Sequence, residues 1–272
     1  MTKKIASYRS HLEGKERSKN TIRAYISDII TYYKDKEDYF NIEKYSVATL
    51  ERRKYSLNNF FDFLGEKELK SNKKFKKSYV FQKDYIKSRD VKKMLKFLDE
   101  QFANEKSFKA KRRTLLKMIF ISLGINEGLR VCEYHNLEFN KDEIEIKDSK
   151  GGNFRVIPLT KDTLEKIDRL YNFLKNPAGK VFQKENEKYI TIRTFQSWMA
   201  SIAKTIGIPK SLSHTHSLRH RFARNFLKAN PSRLEQLSTI MGHRSIQTTL
   251  IYAKPSKKDI ALGMNRACLS NQ

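Results

Sequence analysis

Ser213 to Pro255 reads SHTHSLRHRFARNFLKANPSRLEQLSTIMGHRSIQTTLIYAKP, and its spacing lays out helices, a turn and a crowd of polar side chains in one segment. Leu218, Phe222, Phe226 and Leu227 recur at helical intervals and form one apolar face. His216 and Arg219 stand three apart, facing one spot from a helix that starts near Ser217. The first is a proton acceptor or hydrogen-bond donor, the second a planar fork matched to a phosphate. Gly242 stands where the Leu234 to Met241 helix ends in the usual C-terminal manner, which places His243 on the connection that follows. Ser245 caps the next helix, and Tyr252 lies nine residues beyond His243, near that helix's end. Singly these features are ordinary: a solvated pair, a cap, a core tyrosine.

Working outward, apolar residues recur at helical spacing from Lys4 to about Leu69, as in Ile22, Tyr25, Ile26, Ile29, Ile30 and Tyr33, and in Leu57, Phe60, Phe61 and Leu64. Residues 1–69 therefore read as a small helical domain, with Ser18 as an N-cap and Gly65 as a C-cap. Residues 70–84 read as a basic linker, since Lys73, Lys74, Phe75, Lys76 and Lys77 carry no period and no acid. Residues 85–272 form a second domain. Helical spacing returns in Asp90 to Phe102, after Ser88 as cap, and in Ala110 to Ile125, with breaks expected at Gly124 and Gly128. Glu143 to Lys147 alternates with period two, Lys150-Gly151-Gly152 makes a turn, and Phe154 to Leu159 returns, a β-hairpin in an otherwise helical domain. The fold class is mainly α with one small β-hairpin, an α+β domain behind a helical one.

The 272 residues carry 56 Lys plus Arg against 30 Asp plus Glu, a formal net charge of +26. With 39 % apolar residues a packed core is available, so a disordered basic tail is excluded. A surplus of this size points to phosphate backbones first and anionic membranes second. Residues 188–272 are the most lopsided, with 14 basic residues against Glu235 and Asp259, so phosphate chemistry is expected there. Met118 to Ile125 is too short to span a bilayer, and the first residues lack a signal-peptide core, so a cytoplasmic, nucleoid-associated location is expected. Cys132 and Cys268 are too few for a disulfide framework or a structural zinc site. No GxxxxGK[ST] loop and no carboxylate cluster with metal-ligand spacing occurs in the basic C-terminal third, so no metal and no cofactor are expected.

His216-Ser217-Leu218-Arg219-His220, then a helix, then Gly242-His243, then Tyr252 resembles the C-terminal signature of the tyrosine recombinases, also called phage integrases. Upstream, Gly128-Leu129-Arg130-Val131-Cys132-Glu133 is similar to that family's first arginine turn, with Cys132 where a small hydroxyl residue is common. Ser149 to Leu159 (SKGGNFRVIPL) is similar to its lysine-bearing hairpin, with Asn153 where a basic residue is frequent. Ser18, Asn20, Thr21, Ile22 and Tyr25 resemble the core-binding (SAM-like) domain of Xer-type members, so the likeness covers nearly the whole chain.

The resemblance implies a six-residue catalytic set of Arg130, Lys150, His216, Arg219, His243 and the nucleophile Tyr252. His214 also precedes Arg219, but only His216 has the HxxR spacing, so His214 is expected to be a neighbouring hydrogen-bonding or DNA-contacting residue. The implied reaction gives a 3′-phosphotyrosyl enzyme and a free 5′-hydroxyl, with His216 placed by analogy to take the tyrosine proton and Lys150 to protonate the leaving oxygen. Double-stranded DNA is the expected partner, held by backbone contacts in a clamp of two basic domains, with Lys19, Arg23, Arg52, Arg53, Lys54, Arg193 and Arg244 as candidate contacts. Ile260, Ala261, Leu262 and Met264 read as a short apolar helix, which the resemblance implies docks on a neighbouring subunit to build a tetramer on two duplexes, with Holliday-junction exchange. The compact two-domain layout, with no arm-binding domain before Lys4, favours a Xer-like resolvase of chromosome or plasmid dimers over a mobile-element integrase. A type IB topoisomerase that relaxes DNA without exchange, and a non-catalytic DNA-binding protein, are the rival readings.

Overall fold

Three helices build the N-terminal part of the computed structural model, which describes residues 2–75, 85–147, 154–183, 188–254, 260–262, 264 and 265. The chain divides into two compact units, Met1–Val80 and Phe81–Gln272. In the first, helices α1 (Thr2–Gly14), α2 (Lys19–Lys34) and α3 (Val47–Leu64) enclose Tyr8, Leu12, Ile22, Ile26, Ile29, Leu57, Phe60 and Phe61. Ser18 and Ser46 each accept a hydrogen bond from the backbone N–H three residues on, supplying partners to donors that the first helical turn leaves bare. Gly65 ends α3 in the left-handed region at φ 76°, where a side chain would be strained.

This unit overturns one expected DNA contact. Arg53 is 7 % exposed: it donates to the Tyr39 carbonyl at 2.7 Å, and its guanidinium carbon lies 3.8 Å from the Tyr45 ring centre. A planar cation that stacks on aromatic faces is stabilised inside, so Arg53 organises the core instead of meeting a phosphate. Its neighbour Arg52 pairs with the buried Asp28. Ser71 exchanges two hydrogen bonds with the Asn58 side chain, and Lys54 donates to the Lys73 carbonyl at 2.8 Å. The start of the expected linker is therefore fastened to α3, while its residues 76–84 lie outside the described ones.

The second unit is arranged about α5 (Phe108–Asn126), which is buried on nearly every side from Thr114 to Gly124. Packed against it are α4 (Ser88–Asn104), α6 (Lys161–Phe173) and α8 (Thr215–Ala229). Gly124 does not break the helix as its residue type suggests. A Cβ there would lie 2.6 Å from that of Leu218, so the glycine is where α5 and α8 approach closely. Ser88 is the first residue of α4 instead of its cap, and the Lys87 N–H is met by Asp90 Oδ2 at 3.1 Å. Strands β1 (Glu143–Lys147) and β2 (Phe154–Pro158) pair antiparallel, with Ile144, Ile146, Arg155 and Ile157 facing inward. The hairpin tip, Lys150 included, lies outside the described residues.

Helices α7 (Ile192–Thr205), α9 (Leu234–Met241) and α10 (Leu250–Ala253) complete this unit. A small separate core joins Phe222, Ala223, Leu227, Leu237, Met241 and Tyr252, which ties α10 to α8 and α9. Beyond it, residues 260–262, 264 and 265 are helical, with Leu262 and Met264 exposed. Among the described residues no helix is long and apolar enough to cross a membrane.

Candidate active site

Gly128 follows the end of α5 at φ 63°, and a Cβ there would collide with the Phe222 ring. The chain turns on this glycine and presents Arg130, whose own backbone N–H donates to Glu133 Oε2 at 2.7 Å. Glu133 Oε1 then accepts from Arg130 Nη1 at 3.0 Å and from Arg155 Nη2 at 2.7 Å. One buried carboxylate thus offsets two guanidiniums, which explains the inward arginine on β2. Arg155 also donates to the Ile240 carbonyl at 3.0 Å, and a Cβ on Gly242 would strike its guanidinium. The hairpin, the arginine turn and the end of α9 are locked by that one side chain.

Arg219 reaches the same turn from α8. At 3 % exposure it donates to the Gly128 carbonyl at 2.5 Å and to the Met241 carbonyl at 2.5 Å, while Arg130 Nη2 donates to the Gly242 carbonyl at 2.9 Å. The two guanidiniums are therefore held by successive carbonyls at the end of α9, carbonyls that helix termination leaves without intrahelical partners. Burial, then the Arg130 charge, lowers the Arg219 pKa to about 10, so it remains charged at neutral pH.

Arg219 fixes the state of His243. Guanidinium nitrogens only donate, so His243 Nε2, 3.3 Å from Arg219 Nη2, must accept. The proton then sits on Nδ1, which donates to Thr249 Oγ1 at 2.8 Å. Burial and the charges of Arg219, Arg130 and Arg155 agree with this neutral form, lowering the His243 pKa to about 4.

Tyr252 is 8 % exposed, and its hydroxyl lies 2.7 Å from His220 Nδ1. Burial raises the phenol pKa, and the charges of Arg219 and Arg130 oppose that rise, so both cations act on the oxygen. His216 stands at the exposed rim of α8, its ring centre 6.2 Å from that of His220. Desolvation of its inner side first, then Arg219, His214 and Arg130, lower its pKa. His214 precedes the helix, with its ring 3.1 Å from Ser217 Oγ. Arg130, Arg219, His243 and Tyr252 are thus gathered in one unit from segments up to 122 residues apart, with His216 beside them.

The profile of the phage integrase family matches residues 84–259, more than half of the chain. The chain belongs to the phage integrase family. It is a Xer-like tyrosine recombinase in class. It is 28 % identical over 281 residues to the tyrosine recombinase XerA of Pyrococcus horikoshii, covering 97 % of this chain and 93 % of that protein. It is 27 % identical over 233 residues to the tyrosine recombinase XerC of Rickettsia prowazekii, covering 83 % and 75 %. In fold it is similar to a lambda integrase dimer bound to a COC′ core site, with a TM-score of 0.69 at 16 % identity over 93 % of this chain and 77 % of that one.

Three residues of this recombinase's site were not singled out from its sequence: Glu133, Arg155 and His220. The first two lay within the arginine turn and the hairpin segment, but their joint role depends on two elements meeting. His220 adjoins Arg219, yet its contact with Tyr252 needs α10 folded onto α8. Of the expected DNA contacts, Lys19, Arg23, Arg193 and Arg244 are exposed, and Lys19 and Arg23 line a groove with Arg9 and Arg17 between α1 and α2.

Proposed function

We propose that the recombinase cleaves and rejoins DNA through attack of Tyr252 on a scissile phosphate. The supporting observation is the interlock of Arg130 and Arg219 over the α9 terminus, next to a phenol that feels both charges. A tyrosine hydroxyl stores the energy of the broken phosphodiester as a covalent 3′-phosphotyrosyl link. Two preorganised guanidiniums offset the charge that develops on the phosphate oxygens, which is where electrostatic stabilisation has most effect. Their fork geometry needs no rearrangement because Glu133 and the backbone carbonyls hold it. His216 adds a hydrogen bond to the phosphate, His243 braces Arg219 through its accepting Nε2, and Lys150 protonates the leaving 5′-oxygen. A second strand's hydroxyl then attacks the phosphotyrosine and joins DNA in a new pairing.

Double-stranded DNA is the substrate, bound mainly through its phosphates, since both units are rich in Lys and Arg, and binding therefore weakens steeply with salt. The exposed Leu262 and Met264 helix docks on a neighbouring copy, and four copies assemble on two duplexes through a Holliday junction. The biological role we assign is resolution of chromosome or plasmid dimers in the cytoplasm, and similarity across most of the chain to proteins named Xer tyrosine recombinases supports it. Covalent capture on fragmented host and plasmid DNA maps the cleavage site, and Tyr252→Phe abolishes the covalent complex while leaving DNA affinity intact. A covalent complex persisting on a denaturing gel with that variant overturns the reading. A two-site exchange assay beside a supercoil-relaxation assay separates a recombinase from a topoisomerase of similar chemistry.

A further inference from the structure

The phenol that has to lose a proton is buried, so bulk water is not at hand to take it. Among the described residues the hydrogen-bond partner of the Tyr252 hydroxyl is His220 Nδ1, at 2.7 Å. That separation lies within the reach of direct proton transfer to a general base, and imidazole titrates in the range where such a base is effective. His216 and His220 are four residues apart on α8 and so share a face, with ring centres 6.2 Å apart. Tyr252 meets the inner of the two rings, their centres 5.5 Å apart, while His216 stands exposed at the rim.

We propose that His220 is the catalytic proton acceptor for Tyr252, and that His216 serves the phosphate instead. The inference rests on Tyr252 being the nucleophile. In cleavage the Oη–P bond forms, the Oη proton passes to His220 Nδ1, and the P–O5′ bond breaks with its electron pair on oxygen. That oxygen takes a proton from the general acid, which the reaction above assigns to Lys150. In rejoining, the attacking 5′-hydroxyl loses its proton to the same acid group, and the His220 imidazolium returns its proton to the departing phenolate. Among the described residues, charged and titratable groups facing His220 include His216 on its own helix, Tyr252 on α10, and His243 beyond the end of α9, whose proton affinity His220 also influences.

The test uses full-length protein and a nicked duplex built on the site mapped by covalent capture, with covalent complex formation followed in single turnover from pH 5 to pH 8. His220→Asn keeps a hydrogen-bond acceptor near the phenol but cannot bind a proton at these pH values. His220→Ala removes both functions. Both variants are expected to lose about 10²-fold to 10³-fold in cleavage rate with unchanged DNA affinity, and to lose the acid limb of the wild-type pH profile. A 5′-bridging thiolate leaving group, which needs no proton, leaves that deficit in place. His220→Asn cleaving within about threefold of wild type, an acid limb persisting in the variants, or restoration by the thiolate substrate overturns the proposal. Should His220→Ala fail to fold, His220→Asn carries the test alone. A covalent complex formed by Tyr252→Phe refutes the nucleophile itself, an outcome distinct from any of these.

Discussion

Removing the Glu133 carboxylate tests the interlock most directly. Glu133 is 7 % exposed and accepts from the Arg130 N–H, from Arg130 Nη1 and from Arg155 Nη2. In Glu133→Ala, Arg155, itself 9 % exposed, keeps its bond to the Ile240 carbonyl but loses the charge that balances it. Leaving one partner of a buried pair alone costs about 3–5 kcal/mol. Arg130 adds little, because its side chain is 34 % exposed and water screens it. For a unit of this size the second unit's thermal midpoint should fall by about 6–20 °C, read by circular dichroism. Glu133→Ala/Arg155→Ala should lose less than the sum of the two single changes, by up to about 3 kcal/mol, because the double variant no longer leaves Arg155 buried without its carboxylate. Covalent complex formation should fall with Glu133→Ala as Arg130 loses its brace. A midpoint within 2 °C of wild type, or strict additivity in the double variant, would show that the pair does not carry the buried charge.

Three further outcomes are expected. The unfolded chain binds a proton at His243 near pH 6.5 that the folded site refuses until about pH 4, so stability falls as pH drops through that window; His243→Gln should flatten the slope in urea titrations, and equal slopes would contradict the neutral assignment. Gly128→Ala forces a Cβ into the Phe222 ring at a left-handed backbone position, so about 2–4 kcal/mol should be lost in urea unfolding, and Phe222→Ala in the same chain should recover part of it only if the collision is real. Arg53→Ala should lower the first unit's stability by about 2–4 kcal/mol, whereas Arg23→Ala should leave stability unchanged and reduce the salt slope of DNA binding by about one; the reverse pattern would return Arg53 to the DNA surface.

Much of this architecture was legible along the chain because helices and strands bury residues at fixed local periods. The Ile22, Ile26 and Ile29 stripe, the Glu143 to Lys147 alternation, the Ser18 cap and the left-handed Gly242 are all consequences of chemistry within a few residues. Gly124 misled for a related reason: a glycine is read locally as a helix breaker, but it can equally serve a close approach by a distant helix, here Leu218 of α8. Arg53 misled because a charge is read as a surface feature, and only the folded unit shows the tyrosine rings that accept it.

The order and types of the proposed site residues, Arg130, His216, Arg219, His243 and Tyr252, were therefore legible in the sequence through its resemblance to the tyrosine recombinases, each feature being ordinary by itself. What they touch was not. Glu133 meeting Arg155, Arg219 dictating the His243 tautomer, and His220 meeting Tyr252 each join groups from different elements. Hydrogen bonds act over about 3 Å, and only the packing of α5, α8, α9 and α10 brings those groups within that range.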